Sequence, residues 1–365
     1  MMKKFMGYLL FLTLPFLVFL PLPLYCLCVT GEIKPFDRYL IELDKGQLWG
    51  LAYNYYDREY KFFMTEKFEP EILALGTSRS MQIDGNIFNS KYSFYNAGGA
   101  VQNPQDYIEF IKRLSYNPKL VIIDLNHFFF NPNSDKSSPA IYKKPELNSL
   151  TILKNCINVY KDICLGKIRM VKFSNEHIGM LAKMECDGFT NTGFYHYGRI
   201  TNNPVHASDY NFKNSINRIM THSDRFQTCN IVDLKVVEQI KTFVKECNSR
   251  GIKLIGFLPP FSHYVINEMK KDGNYQYINM IYSYLKPSFE GEGNNLYDYT
   301  DVSRIGGNDF YFIDGFHAGV PVVNLIFKDI ITNDNSLSDF FTTTEKMDSI
   351  IIEYKKVHPP FHSVN

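Results

Sequence analysis

Apolar and polar positions along this chain fall into blocks that switch period. Residues 72–75, 120–125 and 252–258 are short continuous apolar runs ending in small or polar residues, which predicts fully buried strands, and 93–95 predicts a shorter one. Between them, apolar residues recur at near-helical spacing in 106–114 and in 236–244, the latter ending at the break of 248–251. A closing helix is predicted over 321–331, with Pro321 in the first turn, where no intrahelical N–H bond is lost. Strands alternating with helices predict an α/β fold built on a doubly wound parallel sheet with helices on both faces. Between 133 and 233 the pattern departs from this alternation. Helix-like runs at 150–160 and 175–184 there predict an inserted helical cap, and 36–68 reads as a helical stalk. The expected organisation is an N-terminal segment over 1–30, a stalk over 31–68, a core from 69–132 and 234–335, the cap over 133–233 and a tail over 336–365.

The N-terminal segment carries no charge from Phe5 to Val29, long enough as a helix to cross a hydrocarbon core of about 30 Å. Lys3 and Lys4 precede it, so a spanning helix would place everything after about Thr30 outside the cytoplasm, as a single-pass membrane protein. No small-x-small cleavage site is evident near 25–30, which favours an uncleaved anchor; Pro15, Pro21 and Pro23 would kink the helix and keep a cleaved signal peptide as the alternative.

Two short motifs carry the candidate chemistry. Gly76-Thr77-Ser78-Arg79-Ser80 follows the first strand, where a tight turn lifts a serine hydroxyl to the carboxyl edge of a sheet. Asp314-Gly315-Phe316-His317 places a carboxylate three residues before an imidazole, the pair that activates and orients a weak nucleophile. The plainer alternatives are a helix-capping Ser78 and a hydrogen-bonded loop histidine.

In order and context these blocks resemble the SGNH (GDSL-type) hydrolase superfamily. Gly76-Thr77-Ser78 stands for its first block, with Thr77 where the family usually has Asp. Tyr95-Asn96-Ala97-Gly98-Gly99 stands for the second, with compressed spacing, and the strand ending in Asp124-Leu125-Asn126 for the third, with Asp124 in place of glycine. The resemblance covers roughly 68–132 and 235–330 and implies a flavodoxin-like three-layer fold. It further implies Ser78 as nucleophile, His317 as base, Asp314 as its partner, and oxyanion donors from Gly98 or Gly99 and from Asn126. Asn126 also reads as a turn into the aromatic run that follows. Arg79 either holds an anionic group of the substrate or plays a local structural role. His196 sits in 187–199, whose glycines, amides and aromatics suit a carbohydrate-facing loop or a solvent-exposed hairpin.

An apolar N-terminus ahead of Gly-Thr-Ser-Arg-Ser resembles the membrane-anchored branch related to alginate O-acetylation and teichoic-acid D-alanylation proteins. That implies acyl transfer, expected to be acetyl, to a cell-surface polysaccharide, with a multi-pass membrane acyltransferase as donor. An anchored esterase or polysaccharide deacetylase would use the same residues, and a glycan-binding protein with a defective oxyanion hole is the non-enzymatic alternative. A net charge of +1, with no basic tract, argues against nucleic acid. The aromatic content of 15% suits sugar stacking or simply a ring-rich core. The seven cysteines follow no disulfide or zinc spacing, and no metal or cofactor is expected.

Overall fold

The computed structural model describes residues 5, 6, 8, 20–41, 43, 46–168 and 176–363. It divides into two compact units, one of 1–56 with 144–191 and one of 57–143 with 192–365.

The larger unit is the α/β core. Its strands are β1 (Ile72–Gly76), β2 (Phe94–Gly98), β3 (Leu120–Asp124), β4 (Lys253–Leu258) and β5 (Asn295–Asp298). They form one parallel sheet in the order 2-1-3-4-5, the order of flavodoxin-like doubly wound sheets. Every residue of β1 and β3 is buried, as continuous apolar runs between two helical layers require. Around the sheet lie α1 (Asp57–Phe68), α2 (Gln105–Arg113), α3 (Leu234–Ser249), α4 (Tyr277–Gly291), α5 (Val320–Asn333) and α6 (Thr344–Val357). Successive residues of β4 show both faces covered. A Cβ on Gly256 would run into Phe289 of α4, whereas the ring of Phe257 meets Phe327 of α5, with centroids 6.1 Å apart. Helix α3 packs against α2 and α4 on the first face, and α5 carries α6 on the other.

The smaller unit is held by Cys26, Leu27, Cys156, Val159, Ile168 and Met180. Its two main helices, Pro21–Thr30 and Ser149–Cys164, pack side by side. The buried carboxylate of Glu32 accepts the N–H groups of Ala52, Tyr53 and Met180 at 2.8, 3.2 and 2.7 Å, tying three stretches of chain together.

Two expectations differ from the structure, and the membrane segment is not one of them. The expected membrane segment lies largely outside the described residues, which omit 7 and 9–19; its later part is the ten-residue Pro21–Thr30 helix, whose Cys26 and Leu27 are core. Among the described residues no helix is long and apolar enough to cross a membrane. The stretches expected as stalk and cap each divide between the units. Helix α1 joins the core through the Arg58–Asp106 ion pair at 2.8 Å and Phe62 against Phe110 at 5.3 Å. Residues from 192 join it because Asn96 N donates to Thr192 O at 2.8 Å and Tyr195 N donates to Met81 O at 3.2 Å. The 187–199 stretch is not an exposed hairpin throughout: Asp187, Gly188 and Phe189 are buried, with Phe189 stacked on Trp49 at 6.0 Å.

Candidate active site

The site forms in the core unit at the carboxyl ends of β1 and β3, where the strand order reverses and ligands of such sheets gather. Ser78 opens a single 3₁₀ turn, Ser78–Ser80. The cap of that turn is Thr77, whose Oγ1 accepts the N–H of Arg79 at 3.2 Å, so the hydroxyl of Ser78 is left for another partner. That partner is His317: Oγ lies 2.7 Å from Nε2. On the other side of the ring, Nδ1 lies 2.7 Å from Oδ2 of Asp314. Burial on its own would raise the Asp314 carboxyl, but the charge and hydrogen bond of His317 and the N–H groups of Phe316 and His317 outweigh it and hold it down at about 2. An ionised Asp314 can only accept, so Nδ1 carries a proton toward it and Nε2 is the ring nitrogen that faces Ser78 Oγ. Ser78 and His317 are both half-buried.

The acid–base loop is itself held from behind. Asp209 accepts the N–H of Gly315 at 2.9 Å and the hydroxyl of Ser215 at 2.6 Å, and Ser262 N donates to Gly315 O at 2.9 Å. A side chain at 315 would collide with Ser215, which makes glycine necessary there. A cavity of about 130 Å³ adjoins this loop, lined in part by Asp209, Arg218 and Asp314.

Thr77 and Asp124, the two departures from the SGNH-like pattern, meet each other. Thr77 donates its N–H to Oδ1 at 2.7 Å and its Oγ1–H to Oδ2 at 2.5 Å. Asp124 is fully buried, which raises its carboxyl to about 6 against the pull of those two bonds and of Arg79. Its Oδ1 occupies the place a Cβ on Gly76 would take, so strand β1 must end in glycine. The carboxylate thus braces the turn that presents Ser78.

The expected oxyanion donors divide. The N–H of Gly98 is taken by Asn96 Oδ1 at 2.6 Å, and that of Gly99 by the carbonyls of Gly76 and Thr77 at 2.9 and 3.0 Å. Neither glycine offers a free donor, because the compressed second block folds back onto β1. Asn126 follows β3, and its Oδ1 caps the turn by accepting from Phe128 N at 3.2 Å. Its Nδ2 has no acceptor among the described residues, and neither has the backbone N–H of Ser78. Asn126 is thus the one expected donor whose N–H stays uncommitted, and the uncommitted N–H of Ser78 is a group that sequence reasoning missed.

Arg79 does not face substrate. It is buried, and its Nε donates to Phe316 O at 2.9 Å, Nη1 to His127 Nδ1 at 3.1 Å, and Nη2 to Pro259 O and Pro260 O at 3.0 and 2.5 Å. The guanidinium also lies 4.6 Å from the ring centroid of Phe261. Burial lowers Arg79 to about 9, with Asp124 and Asp314 opposing, so it stays charged at neutral pH. Since Arg79 can only donate, His127 accepts through Nδ1 and its Nε2–H meets Thr300 Oγ1 at 2.8 Å. Burial, then the nearby guanidinium, pushes His127 well below its usual range and keeps it neutral. Arg79 therefore clamps the loops after β3 and β4 to the backbone beside His317.

His196 is exposed, its ring 5.4 Å from that of Phe194. Its neighbour Tyr197 instead lies 6.5 Å from His317 and 4.7 Å from Tyr195, because successive residues of the Tyr195–Tyr197 strand point to opposite sides. Among the described residues no cluster of three or more His, Cys, Asp or Glu is placed to hold a metal. In comparisons with known proteins the chain matches no family model, no curated protein and no solved structure.

Proposed function

We propose that this chain is a serine-dependent acyl-transfer enzyme of the SGNH type, moving an acyl group, acetyl in the first instance, to a hydroxyl of a cell-surface polysaccharide. The observation that carries the reading is the unbroken chain from Ser78 Oγ through His317 to Asp314, with both links at 2.7 Å. Ser78 attacks the acyl carbonyl while His317 Nε2 takes its proton. The oxyanion forms toward Ser78 N–H and Asn126 Nδ2, and the leaving group departs with the proton from His317. The acceptor hydroxyl then repeats the sequence in reverse. The core unit works outside the cytoplasm on a membrane-anchored chain, and a multi-pass membrane acyltransferase supplies the acyl group.

The half-buried state of Ser78 and His317 favours a second reading, in which water is the acceptor and the protein is an anchored esterase or carbohydrate deacetylase. The committed N–H groups of Gly98 and Gly99 favour a third, a glycan-binding protein. The test is labelling with a fluorophosphonate and turnover of an aryl acetate by wild type, Ser78→Ala and His317→Ala. Labelling lost in both variants supports the enzyme, and acetyl appearing on an added oligosaccharide rather than as free acetate separates transfer from hydrolysis. A folded wild type that neither labels nor turns over would leave the glycan-binding reading.

A further inference from the structure

The helix Ser149–Cys164 is apolar on two sides. One side, with Cys156 and Val159, builds the core of the smaller unit. The other exposes Leu150, Leu153 and Ile157, spaced i, i+3, i+7, with Leu150 75% and Ile157 63% accessible. Lys154 and Lys161, both exposed, flank that stripe on one edge, and Asp162 lies away from it, paired with Tyr53 and Lys167. The helix Pro21–Thr30, packed alongside, repeats the arrangement: Cys26 and Leu27 turn inward, while Leu22, Tyr25 and Val29 are exposed at the same spacing. It contains no charged residue, and the chain that leads into it, from Phe5 to Phe19, contains none either.

We propose that these two outward faces form one surface that lies in the interface of a lipid bilayer, so the smaller unit is a membrane-resting platform. The uncharged stretch that runs from Phe5 through this helix to Val29 brings the helix to lipid. The Ser149–Cys164 helix, fixed to it through a shared core, is brought there too. Apolar side chains flanked by lysines on a helix edge are the chemistry that enters the headgroup boundary and meets anionic lipid. This contact comes from a segment more than a hundred residues beyond the N-terminal apolar stretch, and it holds whatever the core unit catalyses.

The test uses the full chain in vesicles of phosphatidylcholine and phosphatidylglycerol, with and without brominated acyl chains. Ile157→Trp and, separately, Leu150→Trp add an indole to the exposed stripe, over a background of the single native Trp49, which is fully buried. Met220→Trp, at a site 76% exposed on the Lys213–Thr221 helix of the core unit, is the control. The expected result is that the added emission at 157 and 150 shifts to the blue and is mostly lost in brominated vesicles, whereas that at 220 is unchanged. Emission at 157 and 150 quenched no more than at 220 overturns the proposal. So does a blue shift without bromine quenching that vanishes on dilution of protein in lipid, which would assign the face to a second copy of the chain.

Discussion

Replacing Thr77 with Val removes the hydroxyl that donates to Asp124 Oδ2 and leaves the neighbouring backbone donor in place. The acceptor is a fully buried carboxylate, and a hydrogen bond to a charged group contributes about 1.5–3 kcal/mol. Thr77→Val should therefore cost about 3 kcal/mol of stability, about 2 from that bond and about 1 from the lost cap on the Arg79 N–H. Asp124→Ala removes the acceptor and leaves the buried Thr77 N–H unsatisfied, for about 3 kcal/mol. In that background Thr77→Val still removes the cap on the Arg79 N–H, so the second change should cost only about 1 kcal/mol and the coupling should be about 2 kcal/mol. Urea unfolding of the four proteins at pH 7.5 gives the cycle, and fluorophosphonate labelling rates taken in parallel report whether Ser78 still meets His317. Both single variants should label more slowly, because Thr77 sets the position of the next residue. Additivity within about 0.5 kcal/mol would refute the pairing of these two residues as one device.

Three other outcomes follow from the same geometry. Asp314 is held at about 2 against an ordinary 3.8, so it contributes about 2 kcal/mol that is present above pH 4 and lost as pH falls toward 2. Asp124 is raised from 3.8 to about 6 and has the opposite sign, with stability falling as pH rises through 6; Asp314→Asn and Asp124→Asn should each flatten their own window in acid unfolding curves. Arg79→Met strands the carbonyls of Pro259, Pro260 and Phe316 and should cost about 3–5 kcal/mol, while Arg79→Lys, lacking the planar fork, should fold but label slowly, as read by thermal melts and labelling rates. Gly76→Ala drives a methyl into Asp124 and should cost about 2–3 kcal/mol by chemical unfolding.

What the sequence made legible was local. Strands β1, β3 and β4 are fully or almost fully buried, so their apolar runs are unbroken and their ends come within a residue or so of the expected ones. Strand β2 is predicted only to Tyr95 because Asn96 and Gly98 break the apolar run, and Asn96, Ala97 and Gly98 are strand through their pairing with β1. Strand β5 went unread: it is four residues long at the sheet edge, with Leu296 alone buried, too little pattern to register. Ser78, Asp314 and His317 could be found because each sits in a compact motif. Asn126 could be named as well, but the backbone N–H of Ser78 could not, since whether an amide such as that of Gly98 is already taken depends on acceptors elsewhere in the fold. Arg79 and Asp209 act on backbone atoms of distant loops, and a carbonyl or an amide leaves no signature in sequence.

Ser78 and His317 meet across 239 residues of chain. At a synthesis rate of about 5–20 residues per second, Ser78 exists for about 10–50 s before its base is made. On the acyl-transfer reading proposed above, Ser78 is an ordinary alcohol throughout that interval. The hydroxyl gains its partner only once the 314–317 loop has been made and packed beside β1, so order of synthesis also sets the order in which the site is assembled.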